Sequence, residues 1–434
     1  MELSQHGLQC RYPKLVQGIR AGFDLGIPHI YHSHTPPNHQ SISTLNSVYK
    51  SIIENEFTAS RYIGPFTRTQ LEASLGLFQT SPLSLVPKTS KPGKYRVVHD
   101  FSHPHNPLPT VTSINSSIDS DDFPCTWGTF ATVYLLVAHL PTGSQAAVRD
   151  VAEVYRTIPA APSQWPGLVI RLQDKDQFTV NICNNFGLTS AGGVYGMFAD
   201  AGADIFRSCS IGPVSKWVDD HMFFRVPRVH LPEYNTHRRE WMHEIQTHGG
   251  RRQIGSQLWY RGKDLPEGSP EEFDEDCSAS LLDMAGDSPR SAEDQDFPYA
   301  EVDIDKVSAC LGIRWEPSKS IPFGTEVPYL GFHWDLQARV VHLLKKKRVK
   351  YLEAISEWEV EPTHNLLDTQ HLHGKLFHTT LVLPAGQAYL TNLESMLSLF
   401  NNSAFVPHSP PRDTASDLRW WKQQLARVNL SRPI

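Results

Sequence analysis

Apolar positions along the chain change their period several times, and each change predicts an element. TLNSVYKSIIENEF (44–57) has the spacing of an amphipathic helix. SPLSLVPKTSKPGKYRVVHDFS (81–102) predicts a strand, a Pro/Gly/Lys turn and a second strand. The apolar stretch from Trp127 to Leu140 predicts a buried helix. AAVRDVAEVYRTIP (146–159) begins as a strand and turns helical. SKWVDDHMFFRV (215–226) predicts two short apolar strands around a polar centre. Residues 262–306 are rich in Asp, Glu, Ser, Pro and Gly and read as disordered or loosely ordered. Order resumes at VSACLGIRW (307–315), VPYLGFHWD (327–335) predicts a strand, and LLKKKRVKYLEAISEW (343–358) predicts a basic helix. Roughly the last 60 residues read as helical, ending in LRWWKQQL (418–425), while IPHIYHSHTPPNHQS (28–42) reads as loop. No internal repeat is visible.

Composition narrows the class. A chain of 434 residues, 40% hydrophobic and with ten Trp, is long enough to bury a sizeable core in two to three domains, or in one domain with subdomains. The longest apolar run, FATVYLLVAHL (130–140), has 11 residues. A membrane-spanning helix needs about 20, so no integral membrane protein is expected. MELSQHGLQC carries no basic segment followed by an apolar one, so no ordinary secretory signal is expected. Six cysteines lie far apart without a C-x-x-C pair, which fits a reducing, intracellular compartment better than a disulfide scaffold or a zinc ribbon.

The net charge is −6, but its distribution is uneven. Between Asp264 and Asp305 stand 15 acidic residues and one basic residue, Arg290. Without that stretch 39 Lys and Arg face 31 Asp and Glu, a net of +8. A basic body with a separate acidic segment suits polyanion binding, and equally a mildly basic protein with a solvated acidic loop.

The sharpest chemical signal is Asp219-Asp220, at the centre of WVDDHMFF (217–224). Two-residue hairpin turns favour Asn-Gly or Asp-Gly, and two adjacent carboxylates repel. They make sense where a divalent cation neutralises them. Asp150, at the end of the strand AAVR, is a third candidate. Mg²⁺ takes carboxylate oxygens and keeps waters or phosphates as its other ligands. Alone, an Asp-Asp turn is as compatible with an ordinary surface turn. The histidine pairs (His32 and His34, His103 and His105, His371 and His373) have no cysteines at zinc spacing, and neither a P-loop nor a G-x-S-x-G motif is present.

Order of motifs decides between these readings. AAVRDVAEVYRTIP, NFGLTSAGGVYGMF (185–198), WVDDHMFF, a lysine region and YLGFHWD (329–335) follow one another in a fixed series. This series resembles that of retrotransposon reverse transcriptases, RNA-directed DNA polymerases, and most closely those of the DIRS type. In that type, strings like SPLSLVPK, GKYRVVHDFS and FGLTSA recur, and RYIGPF (61–66) and TSINSSI (112–118) are also similar. The resemblance covers roughly residues 60–225 and 307–400.

The resemblance implies an α+β, right-hand polymerase fold. It places an N-terminal segment at 1–75, fingers at 76–145, a palm with an antiparallel sheet at 146–226, and an insertion at 227–306, acidic and disordered from 262. Palm completion and a primer-grip-like hairpin would follow at 307–340, and thumb and connection at 341–434. It implies deoxynucleotide addition to a primer 3′-hydroxyl on an RNA or DNA template, with deoxynucleoside triphosphates as substrates and no membrane. Two Mg²⁺ ions, or Mn²⁺ in their place, would be held by Asp150, Asp219, Asp220 and the carbonyl of Val151. Tyr155 would lie under the sugar and exclude a 2′-hydroxyl. Arg96 would clamp the triphosphate through its planar fork. Lys88 and Lys94 are candidate phosphate partners or solvated turn residues. Phe186 and Gly187 would pack over the nucleotide.

Lys319, in WEPSKS (315–320), would protonate the leaving pyrophosphate, although the acidic insertion makes its distance from Asp220 longer than the family's. Lys345, Lys346, Lys347, Arg348 and Lys350 would contact the duplex backbone, each phosphate neutralised adding roughly −0.9 to the log–log salt slope. The family's RNase H domain has no counterpart motif here, so the expectation is a polymerase portion alone. A catalytically inactive, reverse-transcriptase-derived nucleic-acid-binding protein or element remnant is the other reading. A templated RNA polymerase is a third, which the bulk of Tyr155 disfavours.

Overall fold

The computed structural model describes residues 2–434 except 89–92, 107, 174–175, 249–250, 255–256, 265–269, 274–278, 288 and 401–402. The chain divides into two compact units. The first comprises Met1–Trp127, Val151–Ile205 and Gln253–Gln257, and the second Gly128–Asp150, Phe206–Arg252 and Leu258–Ile434.

In the first unit the helix Asn46–Thr58 buries Tyr49 and Ile53, the apolar face its spacing predicts. These pack with Tyr62, Leu83, Leu85 and Ile170. The predicted strand–turn–strand is a hairpin, Leu83–Pro87 against Tyr95–His99, in register from Leu83↔His99 to Pro87↔Tyr95. A three-stranded antiparallel sheet runs in the order Tyr62–Thr67, Gln177–Asn181, Val169–Arg171. The helix Arg68–Leu75 leaves that sheet through a capping box, Thr67 with Gln70.

The second unit is built on a four-stranded antiparallel sheet. Its order is Ile321–Gly324, Gln145–Asp150, Asp220–Arg225, Val214–Trp217. Its two central strands carry Ala146, Ala147, Val148, Met222, Phe223 and Phe224, all buried, so both faces of the sheet are covered. Helix Phe130–His139 starts three residues later than the apolar run, because Thr129 caps it in a box with Thr132. Its Phe130, Val133, Leu136 and Val137 join the main core with Val148, Phe224, Trp334, Ile355, Leu376 and Trp421.

The strand predicted at 327–335 is a hairpin, Glu326–Tyr329 against Phe332–Asp335, because Leu330 and Gly331 turn at φ of +55° and +84°. Helices Lys345–Trp358, Leu366–Thr380, Thr391–Ser398 and Thr414–Ala426 follow. No helix among the described residues is long and apolar enough to cross a membrane.

The acidic segment corrects an expectation. Of residues 262–306, those at 265–269, 274–278 and 288 lie outside the described residues. The strands Gln257–Asp264 and Pro270–Phe273 pair, Tyr260 opposite Phe273. From 281 the chain packs against the sheet, with Leu281, Phe297, Tyr299 and Ala300 buried, and helix Glu301–Leu311 begins before 307. Its few apolar residues supply the burial that acidic composition alone would deny.

The anchor is Arg225, 3% exposed. Its guanidinium lies between the rings of Phe297 and Phe323, 4.0 and 4.2 Å from their centroids. It donates to Asp294 Oδ1 at 2.5 Å and to Gln145 Oε1 at 2.7 and 3.0 Å. Tyr299 donates its hydroxyl hydrogen to the Phe224 carbonyl at 2.6 Å. Arg225→Met is therefore expected to cost about 3 kcal/mol, since it strands Asp294 and removes two cation–π contacts. Urea denaturation of both proteins measures this, and a loss below about 0.5 kcal/mol, the level of an ordinary surface change, would show that Arg225 is no anchor.

Candidate active site

Three carboxylates meet at one end of the four-stranded sheet, and the pairing of two strands brings them there. Gln145–Asp150 pairs with Asp220–Arg225 without a bulge, from Gln145↔Arg225 to Asp150↔Asp220. Directly opposed residues of an antiparallel pair project from the same face. Asp150 and Asp220 therefore share a face, and the register Trp217↔Asp220 places Asp219 in the turn beside them. The turn is Val218-Asp219, one residue earlier than the sequence pattern suggests, and Asp220 is the first residue of the returning strand. Val218 has φ of +51°, a left-handed conformation that a β-branched residue adopts only under strain. Such strain persists where the surrounding structure over-determines it, here two paired strands that continue into the core.

The electrostatics of the cluster are unbalanced. Asp150 is 4% exposed, and Asp219 and Asp220 are half-buried. Asp150 stands directly opposite Asp220 across the strand pair. Burial, and then the charge of Asp150, raises the pKa of Asp219 above the usual carboxylate range. Burial, and then the charges of Asp219 and Asp150, pushes Asp220 up to about 7. Lys319 Nζ answers them, donating to Asp150 Oδ2 at 2.6 Å. Burial pulls the Lys319 ammonium down, but the bond to Asp150 and the charges of all three carboxylates outweigh it and raise its pKa.

Lys319 reaches this place because the chain returns along the edge of the sheet after the acidic segment. Ile321 pairs with Val148 and Gly324 with Ala146, and the Glu316 amide donates to the Asp150 carbonyl at 2.7 Å. Behind the turn the buried His221 lies 3.3 Å from the Asp219 carbonyl, its pKa lowered by burial to about 4. Tyr329 donates to the Asp220 carbonyl at 3.4 Å.

These donors suit a hard divalent cation. They are all carboxylate oxygens. Among the described residues, however, no group of three or more His, Cys, Asp or Glu side chains is arranged so that it could hold a metal ion, so the three carboxylates supply the donor type without a formed metal site. Lys319 supplies the counter-charge at Asp150.

The other candidate residues divide between the units. Tyr155, on the 3₁₀ turn Val154–Thr157 of the first unit, sets its ring edge-on to Phe186 with centroids 4.5 Å apart. Phe186 is 54% exposed. Gly187 has φ of +96°, and a Cβ there would stand 3.0 Å from the His99 carbonyl, so only glycine fits. Asn115 fastens this loop, donating to the Gly187 carbonyl at 2.8 Å and accepting from the Thr189 amide at 3.0 Å. The motif TSINSSI contained Asn115, but nothing in the spacing linked it to the 187–189 loop. Lys88, Lys94 and Arg96 are exposed along the 83–99 hairpin, the Lys88 amide donating to the Lys94 carbonyl at 2.8 Å. Val151 belongs to the first unit, immediately after Asp150 in the chain.

In the basic helix of the second unit Lys345, Lys346 and Lys350 are exposed and Lys347 is half-buried. Arg348 is turned inward, donating to the carbonyls of Arg427 and Val428. Sequence reasoning missed Lys375 on the next helix, whose pKa is lowered by burial and then by the charge of Lys350, so the two lysines share one field.

No protein-family model and no curated protein matches this sequence. Among solved structures, the foamy viral protease–reverse transcriptase in complex with an RNA/DNA hybrid is similar, with a TM-score of 0.51 and 12% identity over 93% of this chain and 40% of that chain. The fold is similar to that of a reverse transcriptase. The same viral enzyme in complex with double-stranded DNA gives a TM-score of 0.48 and 12% identity over 92% of this chain and 60% of that one. Its dRH form, also in complex with double-stranded DNA, gives 0.48 and 12% over 94% of this chain and 51% of that one. The chain thus spans between 40% and 60% of the length of these neighbours, and at 12% identity the likeness concerns the reverse-transcriptase-like fold.

Proposed function

We propose that this chain is an RNA-directed DNA polymerase of a DIRS-type retrotransposon. The observation that supports this most is the cross-strand pair Asp150↔Asp220, with Asp219 in the adjoining turn and Lys319 on Asp150. In this reading the 145–150, 214–225 and 321–324 strands are the palm, the 83–99 hairpin belongs to the fingers, and the helices from 345 onward form the thumb and connection.

Each residue then has a defined task. Asp150, Asp219, Asp220 and the Val151 carbonyl would hold two Mg²⁺ ions, which when bound activate the primer hydroxyl and neutralise the leaving oxygen. The primer 3′-hydroxyl gives up its proton to water and its oxygen bonds to the α-phosphorus of the deoxynucleotide as the bond to the β-phosphate oxygen breaks, releasing pyrophosphate. Lys319 carries a proton at neutral pH and delivers it to that pyrophosphate. Arg96, with Lys88 and Lys94, binds the triphosphate; Tyr155 and Phe186 with Gly187 enclose the sugar and base. Lys345, Lys346 and Lys350 attract the duplex backbone.

Primer extension on poly(rA)/oligo(dT) with Mg²⁺ tests the reading. Extension with dTTP and little with UTP is the expected result. Binding of the template–primer without extension would instead assign the chain to the inactive, nucleic-acid-binding class.

A further inference from the structure

The site depends on more than the residues that carry charge. The tip of the 326–335 hairpin is held by one side chain that no sequence motif singled out, His378 on helix Leu366–Thr380. Its Nε2 lies 3.0 Å from the Leu330 carbonyl and its Nδ1 lies 3.2 Å from the Tyr351 hydroxyl. A carbonyl only accepts, so Nε2 carries the hydrogen and Nδ1 accepts from Tyr351, which leaves the neutral ring fully satisfied. The ring also stacks on Phe332, with centroids 4.3 Å apart and planes 13° from parallel. Between Leu330 and Phe332, Gly331 leaves room for it: a Cβ there would stand 3.1 Å from His378 Cε1 and Nε2 and from Lys347 Cε. One imidazole thus touches three successive hairpin residues and ties them to two helices.

Beside the same tip, the residue before Leu330 reaches the backbone of the acidic strand. Tyr329 donates to the Asp220 carbonyl, and its own carbonyl accepts from Trp334 Nε1 at 3.1 Å, which stiffens the strand it sits on. Lys347 and Lys350 lie on the helix of Tyr351, and Lys375 lies one turn before His378. A continuous path of direct bonds and contacts therefore runs from the lysine-bearing helices through His378 and the hairpin to Asp220.

We propose that His378 is a positioning residue: it locks the hairpin tip to the two lysine-bearing helices, so that a nucleic-acid backbone drawn to those helices fixes the strand that carries Asp220. The proposal rests on the polymerase reading for its kinetic consequence but not for the lock itself. Two substitutions separate the ring's functions. His378→Phe keeps the stack on Phe332 and loses both hydrogen bonds; His378→Gln restores a donor for the Leu330 carbonyl. Tyr351→Phe removes the second bond alone and is the milder variant should His378→Phe not fold.

The first readout is hydrogen exchange at the Leu344 amide, which donates to the Gly331 carbonyl. His378→Phe is expected to speed this exchange about tenfold, Tyr351→Phe to move it in the same direction, and His378→Gln to return it to within about threefold of the unmutated protein. The second readout is single-nucleotide extension, where His378→Phe should lower kcat about tenfold while the Kd for template–primer changes by less than about threefold. Unchanged Leu344 exchange in His378→Phe would overturn the lock. Faster exchange with unchanged kcat, or a loss of kcat that His378→Gln fails to restore, would overturn the positioning role. If the unmutated chain extends no primer, the polymerase reading fails on its own, and exchange still decides the lock. Binding of template–primer should then slow the Leu344 amide in the unmutated protein and not in His378→Phe; equal slowing in both would overturn the coupling.

Discussion

Asp219→Asn is expected to lower primer extension by at least about a thousandfold while leaving the folded protein as stable at pH 7.5 as before, or more stable. In the proposed function the loss is large because the carboxylate would be a ligand for the cations that the chemistry needs, and each factor of ten is only about 1.4 kcal/mol of transition-state stabilisation. The absence of a stability penalty follows from the same cluster. Asp219 and Asp220 are carboxylates whose pKa is raised on folding, chiefly by burial and then by neighbouring negative charge. An acid with a raised pKa binds more protons in the folded than in the unfolded state, so its ionisation opposes folding. Stability is fully present below pH 4 and falls as the pH climbs to about 7, the value of Asp220; above that it levels off.

The expected size is about 1–2 kcal/mol in metal-free buffer, reduced from the full linkage value because the group is partly open to solvent. Asp220→Asn should flatten the profile, and urea midpoints between pH 4 and pH 8 measure it. A profile that rises with pH over this range and is unchanged by Asp220→Asn would contradict the unbalanced charge at the site.

Lys319→Gln is expected to reduce the extension rate about a hundredfold, the lower part of the range for a positioned proton donor. Glutamine keeps an N–H donor on a side chain one atom shorter but cannot deliver a charge-neutralising proton. Because the Lys319 ammonium also bonds Asp150 and its charge holds down the pKa of Asp219 and Asp220, the substitution should raise those two further and shift the stability loss to higher pH. Pre-steady-state extension measures the first effect. A rate within about threefold of the unmutated protein, with normal template–primer affinity, would remove Lys319 from the chemistry and leave it a counter-ion.

The parts of this site that were legible in the sequence are those set by local period. Alternating and apolar runs marked both central strands, and with them Asp150 at a strand end and an acidic pair between two strands. The turn itself was misplaced by one residue because Val218 adopts a backbone conformation that valine normally avoids, and only the core beyond it enforces the register. Lys319 was uncertain from spacing, since its approach to Asp150 depends on the pairing of Ile321 with Val148 across the whole acidic segment. That segment misled for a related reason: its acidic composition hid Phe297 and Tyr299, which bury against Arg225. Arg348 stood in a run of cations, yet it caps the end of a helix through carbonyls remote in sequence. His378 lay in no motif, because its partners are backbone carbonyl and tyrosine hydroxyl groups on two other elements.

The central claim is that Asp150, Asp219 and Asp220 gather to hold divalent cations beside a primer terminus. Mn²⁺ binding followed by electron paramagnetic resonance, with a dideoxy-terminated template–primer and the matching deoxynucleotide present, tests it most directly. The account predicts bound Mn²⁺ that excess Mg²⁺ displaces, and loss of that binding in Asp150→Asn combined with Asp219→Asn. Equal binding by the unmutated and doubly substituted proteins would contradict it.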